Sequence, residues 1–220
     1  MSSRDLARVT DRLADPEFFQ LNVPPASSTG DLTGGFGDGQ TVTSRLFQDG
    51  TLVREMSGQA IQREVPVVEG SHTYRFEQET ALDPAAWAYS SRTSTAWTFQ
   101  ADQAELDGSP LPLVSLGYDV SGRDLAGAVR RGKPVQVDVT AALPPEGAVR
   151  AGKVTDVTVE VSFDEGTSWK AVQARPSGDG RWSVAFDAPR RATSVSLRTE
   201  AHDDAGNSAT QEVVKAFGLR

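Results

Sequence analysis

Two histidines, His72 and His202, are the only imidazoles in this 220-residue chain, and so the only side chains of that type that could act as a general base near neutral pH. His72 leads into an acidic stretch around Glu77 and Glu79, and His202 sits directly before Asp203-Asp204. A base needs a nucleophile to activate, and no nucleophile motif accompanies either residue. The pattern G-x-S-x-G does not occur, and Gly166-Thr167-Ser168 runs straight into Trp169. Zero cysteines remove thiolate chemistry, disulfides and sulfur-ligated zinc together. Catalysis by this chain is therefore not expected.

Asp203, Asp204 and Asn207 put hard oxygen donors within one short segment, the composition of a calcium loop. Calcium takes about six or more oxygens, more than this cluster supplies, so the expected use of these side chains is an Asx-type turn. No cofactor is expected. Gly34, Gly35, Gly37 and Gly39 around Asp38 look superficially like a phosphate loop, but no Lys-Ser/Thr follows and the run does not repeat. It reads as loop.

The segment Ser162, Asp164, Gly166, Ser168, Trp169 follows the Asp-box pattern S-x-D-x-G-x-T-W, with Ser168 in the Thr place. In such a turn the Asp and Ser side chains bond backbone groups, Gly takes a positive φ and Trp packs beneath. Sialidases carry several Asp boxes, which raises a glycan hypothesis; a single copy is expected to be turn chemistry. Trp87, Tyr89, Trp97 and Phe99 form the main aromatic concentration. Trp87, Tyr89 and Trp97 are the candidate binding residues if their rings are exposed, while alternation places Trp97 and Phe99 toward a core.

These residues must be positioned by strands. Val42, Ser44 and Leu46 alternate with polar residues, and Asp49-Gly50 is a two-residue hairpin signal before Leu52. Tyr74, Phe76 and Gln78 alternate, a turn is expected at Asp83-Pro84, and Thr95, Trp97 and Phe99 alternate again. Farther on, the same period appears in Val135/Val137/Val139, Val157/Val159/Val161/Phe163, Trp182/Val184/Phe186 and Val195/Leu197/Thr199/Ala201. A leading strand over 113–120 and a closing strand around Val213 and Phe217 complete the set. Period-two faces must bury against one another, so the fold class is all-β.

Three regions are expected. Residues 1–16 form an N-terminal appendage, with Leu6, Val9 and Leu13 at helical spacing and Asp15-Pro16 as the stop. Residues 17–108 form an acidic β-sandwich-like domain, with 22–40 as loop. Residues 109–220 form an immunoglobulin- or fibronectin-III-like sandwich of about seven strands. The polar stretch 102–112 is the expected interdomain link.

Charge is uneven. Residues 1–110 carry 8 Arg, no Lys and 16 acidic residues, so that half holds the whole net charge of −8. An acidic half beside a neutral one argues against nucleic acid as partner, since phosphate binding relies on Lys and Arg. No stretch approaches the ~20 apolar residues of a membrane span, and the N-terminus lacks a basic region followed by an apolar one. If the protein is exported, its signal peptide lies upstream of this chain.

Four ordered blocks carry a family resemblance: Tyr74 to Phe99, Leu111 to Val120, Val157 to Val172 and Val195 to Leu219. Together they resemble the non-catalytic C-terminal region of secreted subtilisin-like serine proteases of actinobacteria. The family's Asp, His and Ser triad precedes that region and has no counterpart in these blocks, so no catalytic residue transfers. The resemblance implies an extracellular accessory module that contacts the protease catalytic domain or a protein substrate.

Overall fold

The structure is a computed structural model and describes residues 18–21, 23, 26–27, 33–34, 40–58, 61–106, 110–144 and 150–220. The helical appendage expected over 1–16 and residues 35–39 of the Gly-rich run lie outside these. The chain is all-β, and among the described residues there is no α-helix. In its first half the strands are β1 (Phe18–Leu21), β2 (Ala26–Ser27), β3 (Thr33–Gly34), β4 (Gln40–Gln48), β5 (Thr51–Ser57), β6 (Ile61–Pro66), β7 (Ser71–Leu82) and β8 (Arg92–Asp102). The second half contributes β9 (Ser115–Val120), β10 (Ala128–Val129), β11 (Val135–Ala142), β12 (Val154–Ser162), β13 (Lys170–Val172), β14 (Ala174–Gly178), β15 (Arg181–Phe186), β16 (Ser194–Asp203) and β17 (Ser208–Leu219).

The alternation foreseen from sequence is what the strands bury. Val42, Ser44 and Leu46 point inward from β4; Tyr74, Phe76, Gln78 and Thr80 from β7; Thr95, Trp97, Phe99 and Ala101 from β8. The Asp49-Gly50 hairpin forms between β4 and β5 with Gln48 opposite Thr51. Both loop residues have positive φ, 47° and 81°, the geometry whose twist matches the flanking strands. One stretch departs from expectation: within 22–40, read as loop, β2 and β3 pair as a two-residue ladder.

Two sheets make the body. The larger has nine strands, in the order β13-β12-β16-β17-β8-β7-β4-β5, with β10 added in parallel to the end of β17; the smaller is β14-β15-β11-β9. Apart from β10, their pairings are antiparallel. The inner faces of the two sheets share one hydrophobic cluster that includes Val137, Val139, Trp182 and Val184 from the smaller sheet and Val159, Val161, Leu197 and Phe217 from the larger. Phe163 and Phe186 meet with ring centroids 6.1 Å apart. The arrangement is that of a β-sandwich.

The large sheet does not stop at the boundary expected near residue 108. Ser208 to Val214 of β17 pair with Arg92 to Thr98 of β8, joining the acidic first half edge to edge with the second. The segment expected as a polar link contributes to the core at both of its described ends, where Leu106 and Leu111 are buried; a 3-10 turn spans Gln103–Glu105, and just beyond the link Val114 O accepts from the Trp97 indole at 2.8 Å. Pairing across more than a hundred residues leaves no trace in a local alternation pattern, so each half read as self-contained.

β17 is the hub. At Lys215, with φ 53°, the strand bulges: its amide donates to Ser196 Oγ at 3.0 Å, and Val213 and Val214 are both buried. Pairing with β8 ends just before this point and pairing with β10 begins just after it. One strand thus serves two different neighbours on the same edge.

Candidate functional site

The Asp-box turn forms as its sequence demands. Asp164 Oδ1 accepts from the Ser162 hydroxyl (2.7 Å) and the Ser168 amide (2.9 Å), and Oδ2 accepts from the Ser168 hydroxyl (2.6 Å). Ser162 Oγ in turn accepts from the Gly166 amide at 2.9 Å. Gly166 sits at φ 89°, and Trp169 lies just beneath it. These donors, the Ser168 hydroxyl foremost, hold the Asp164 carboxyl down at about 2. The turn is tied outward through its ring: the Arg198 guanidinium lies 4.1 Å from the Trp169 centroid and reaches Glu160 (3.2 Å) and Glu212 (3.0 Å). Every oxygen of Asp164 serves the turn itself.

Asp203, Asp204 and Asn207 come together in a second turn, between β16 and β17. Asp203 is buried and accepts four bonds: Oδ1 from the amides of Ala205 (3.0 Å) and Asn207 (2.7 Å), Oδ2 from the Gly152 amide (3.0 Å) and Asn207 Nδ2 (2.7 Å). Asp204 Oδ1 accepts from the Lys153 amide at 2.7 Å. These carboxylates face N–H donors, which are the wrong partners for a cation. Among the described residues no group of three or more His, Cys, Asp or Glu could hold a metal. The Asx-type use expected from sequence is present, but its partners are remote: residues 150–153 are clamped against the turn. Gly152 is required there, since a Cβ on it would strike Asp204 and lie 2.7 Å from the Ala205 amide.

This clamp continues into the first half of the chain. Asn207 Nδ2 also donates to Arg150 O at 2.9 Å, and the Arg150 side chain reaches Glu105 with Nε (2.5 Å) and Ser71 Oγ with Nη1 (2.9 Å). Arg150 itself sits at φ 51°. Glu105 is held below its ordinary value of 4.5 by that hydrogen bond. A line of contacts therefore runs Glu105, Arg150, Asn207, Asp203, Gly152, linking β7–β8 to the β16–β17 turn. Arg150, Gly152 and Glu105 carry no local sequence signal for this role, because their partners stand 45 and 51 residues away.

The histidines are apart and differently used. His72 Nδ1 lies 2.6 Å from Asp49 Oδ2, and Nε2 lies 3.1 Å from Glu69 O. Both ring nitrogens are engaged, and the Asp49 carboxylate raises the imidazole above its ordinary 6.5 while itself being lowered from 3.8. The pair braces the β4–β5 hairpin loop, where Asp49 Oδ1 also takes the Thr73 amide at 3.0 Å. His202 Nε2 contacts Glu200 Oε1 at 2.9 Å on the exposed side of β16. A nearby groove of about 330 Å³ is walled by Phe47, Gly50, Thr73, Arg75, Glu77 and Thr98, with neither histidine in it.

The three candidate binding aromatics have three different fates. Trp97 is buried and stacked on Phe76 at 5.4 Å, so it belongs to the core and is corrected as a binding residue. Tyr89 is half-buried, laid against Gly127 and Gly218 so closely that a Cβ on Gly218 would strike its ring. Trp87 is 55% exposed. They do not form a single platform. No protein-family model matches the chain, and no curated protein matches it.

Proposed function

We propose that this chain is a non-catalytic accessory module of a secreted subtilisin-like serine protease, stabilising the enzyme or engaging its protein substrate from outside the catalytic domain. The reading rests on the resemblance of the four ordered blocks. The observation that supports it best is the use made of the chemistry-capable side chains: Asp164, Asp203 and Asp49 with His72 are spent on turns and clamps. An immunoglobulin-like topology for residues 109–220 belongs to the same proposal. The test pairs the purified chain with a subtilisin-like catalytic domain from an actinobacterium. The module should lengthen that domain's half-life at elevated temperature, or speed cleavage of a folded protein while leaving a short fluorogenic peptide unaffected. Turnover of the short peptide by the chain alone, lost on His72→Gln or His202→Gln, would overturn the reading.

A glycan-binding or adhesion role is the second reading, favoured by the exposed Trp87 ring. A glycan array with hits that vanish in Trp87→Ala would select it over the first.

A further inference from the structure

One end of the sandwich carries a cationic groove on an otherwise acidic protein. Two Arg doublets, Arg130-Arg131 and Arg190-Arg191, converge there although they lie 59 residues apart: Arg131 Nη1 donates to Arg190 O at 2.7 Å and Nη2 to Leu219 O at 3.2 Å. The Arg131 amide further donates to Arg220 O at 2.8 Å. Arg131 thus acts as a strap that fixes both loops on the end of β17. The cleft between them holds about 480 Å³. Its lining includes the buried Val135 and Leu219 and the exposed Lys133, Arg190 and Asp187. Lys133, Arg190 and Arg191 are exposed and make no ion pair with any described residue. Exposed cations held beside a carved cleft, without a counter-ion of their own, present a field that draws negative charge.

We propose that this groove binds an acidic stretch of extended polypeptide, its Asp or Glu carboxylates held by Lys133 and Arg190. The lining decides between anions. It contains no aromatic ring on which a sugar could stack, which disfavours an anionic glycan. Asp187 in the wall would repel a dense polyphosphate, but it can accept a backbone N–H, which a peptide supplies between its carboxylates. Exposed Arg and Lys side chains in the lining favour separate carboxylates by charge-assisted hydrogen bonds. The site is distinct from the residues discussed under the proposed function, and peptide binding is read on the isolated chain, so either can fail without the other.

Fluorescence polarisation with a labelled peptide of alternating Glu and Gly, at low salt, tests this. Binding should weaken by about tenfold or more between roughly 20 and 200 mM NaCl. The Gln counterpart of the peptide should not bind. Lys133→Glu and Arg190→Glu should each weaken binding about tenfold, with unchanged thermal unfolding, because it is the main-chain carbonyl of Arg190 that Arg131 uses. If either variant unfolds, Lys133→Gln and Arg190→Gln replace it, and the salt and Gln-peptide comparisons stand by themselves. Absence of binding at low salt, equal binding of the Gln peptide, preference for a sulfated oligosaccharide, or charge reversal without effect would each overturn the proposal.

Discussion

The turns centred on Asp164 and Asp203 use the same side chain in the same all-β frame for opposite ends. Asp164 is exposed, and its bonds stay within four residues; Asp203 is buried, and one of its bonds spans 51 residues to Gly152. The first shapes a hairpin. The second clamps a distant strand entry and, through Asn207 and Arg150, connects to the first half of the chain. Removal of a carboxylate that satisfies buried amides leaves them unpaired, whereas removal of an exposed one returns its donors to water. An Asp-rich turn can be either local punctuation or a long-range fastener, and burial tells which.

The largest effect is expected at Asp203. Asp203→Ala should cost about 3 kcal/mol, by orphaning the two buried donors of Asn207 together with the part-buried amides of Gly152 and Ala205. Asp203→Asn should cost less than Asp203→Ala, because one acceptor oxygen remains; urea unfolding would reveal the order, and equal costs would contradict the clamp. Next in size is Gly218→Ala. A methyl there collides with the Tyr89 ring, which reaches from the first half onto β17, and overpacking of this kind costs roughly 1–3 kcal/mol. The double variant with Tyr89→Ala should recover part of that loss.

Asp164 sharpens the contrast through pH. Its folded carboxyl lies at about 2 against an ordinary 3.8, so its contribution is complete above 3.8 and is lost as pH falls through about 2. Asp164→Asn should therefore narrow its stability gap to the unmodified protein on acidification, with a melting-temperature difference at neutral pH of only a few degrees. The smallest effect belongs to the exposed His72–Asp49 pair. His72 is raised above 6.5, so its contribution is present below 6.5 and fades as pH rises through the folded value. A slight drop in melting temperature from pH 6 to 8 should disappear in Asp49→Asn, which keeps a residue suited to the positive φ of that turn.

What could be read from sequence follows the same division. The Asp-box bonds, the Asp49-Gly50 loop and the inward faces of β4, β7, β8, β11, β12, β15 and β16 all depend on residues a few positions apart, and alternation or turn chemistry shows them. The β8–β17 seam, the Arg150 contacts and the Arg131 strap depend on partners 45 to 122 residues away. Nothing in the local pattern marks them. β1 and β6 were equally silent, and β13 and β14 are short strands whose residues lie mostly at the surface. Trp97 was legible as core from its alternation even while its ring type suggested binding. The Arg doublets were visible as residues, but only the fold brings them to one groove.

Together the seam and the Asp203 clamp should make both halves one cooperative body. Native-state hydrogen exchange tests it without introducing a probe. The most protected amides of β7 and β8 should open with the same free energy as those of β12 and β16, and Asp203→Ala should lower both sets equally. Two distinct opening energies, or a loss in Asp203→Ala confined to β12 and β16, would contradict it.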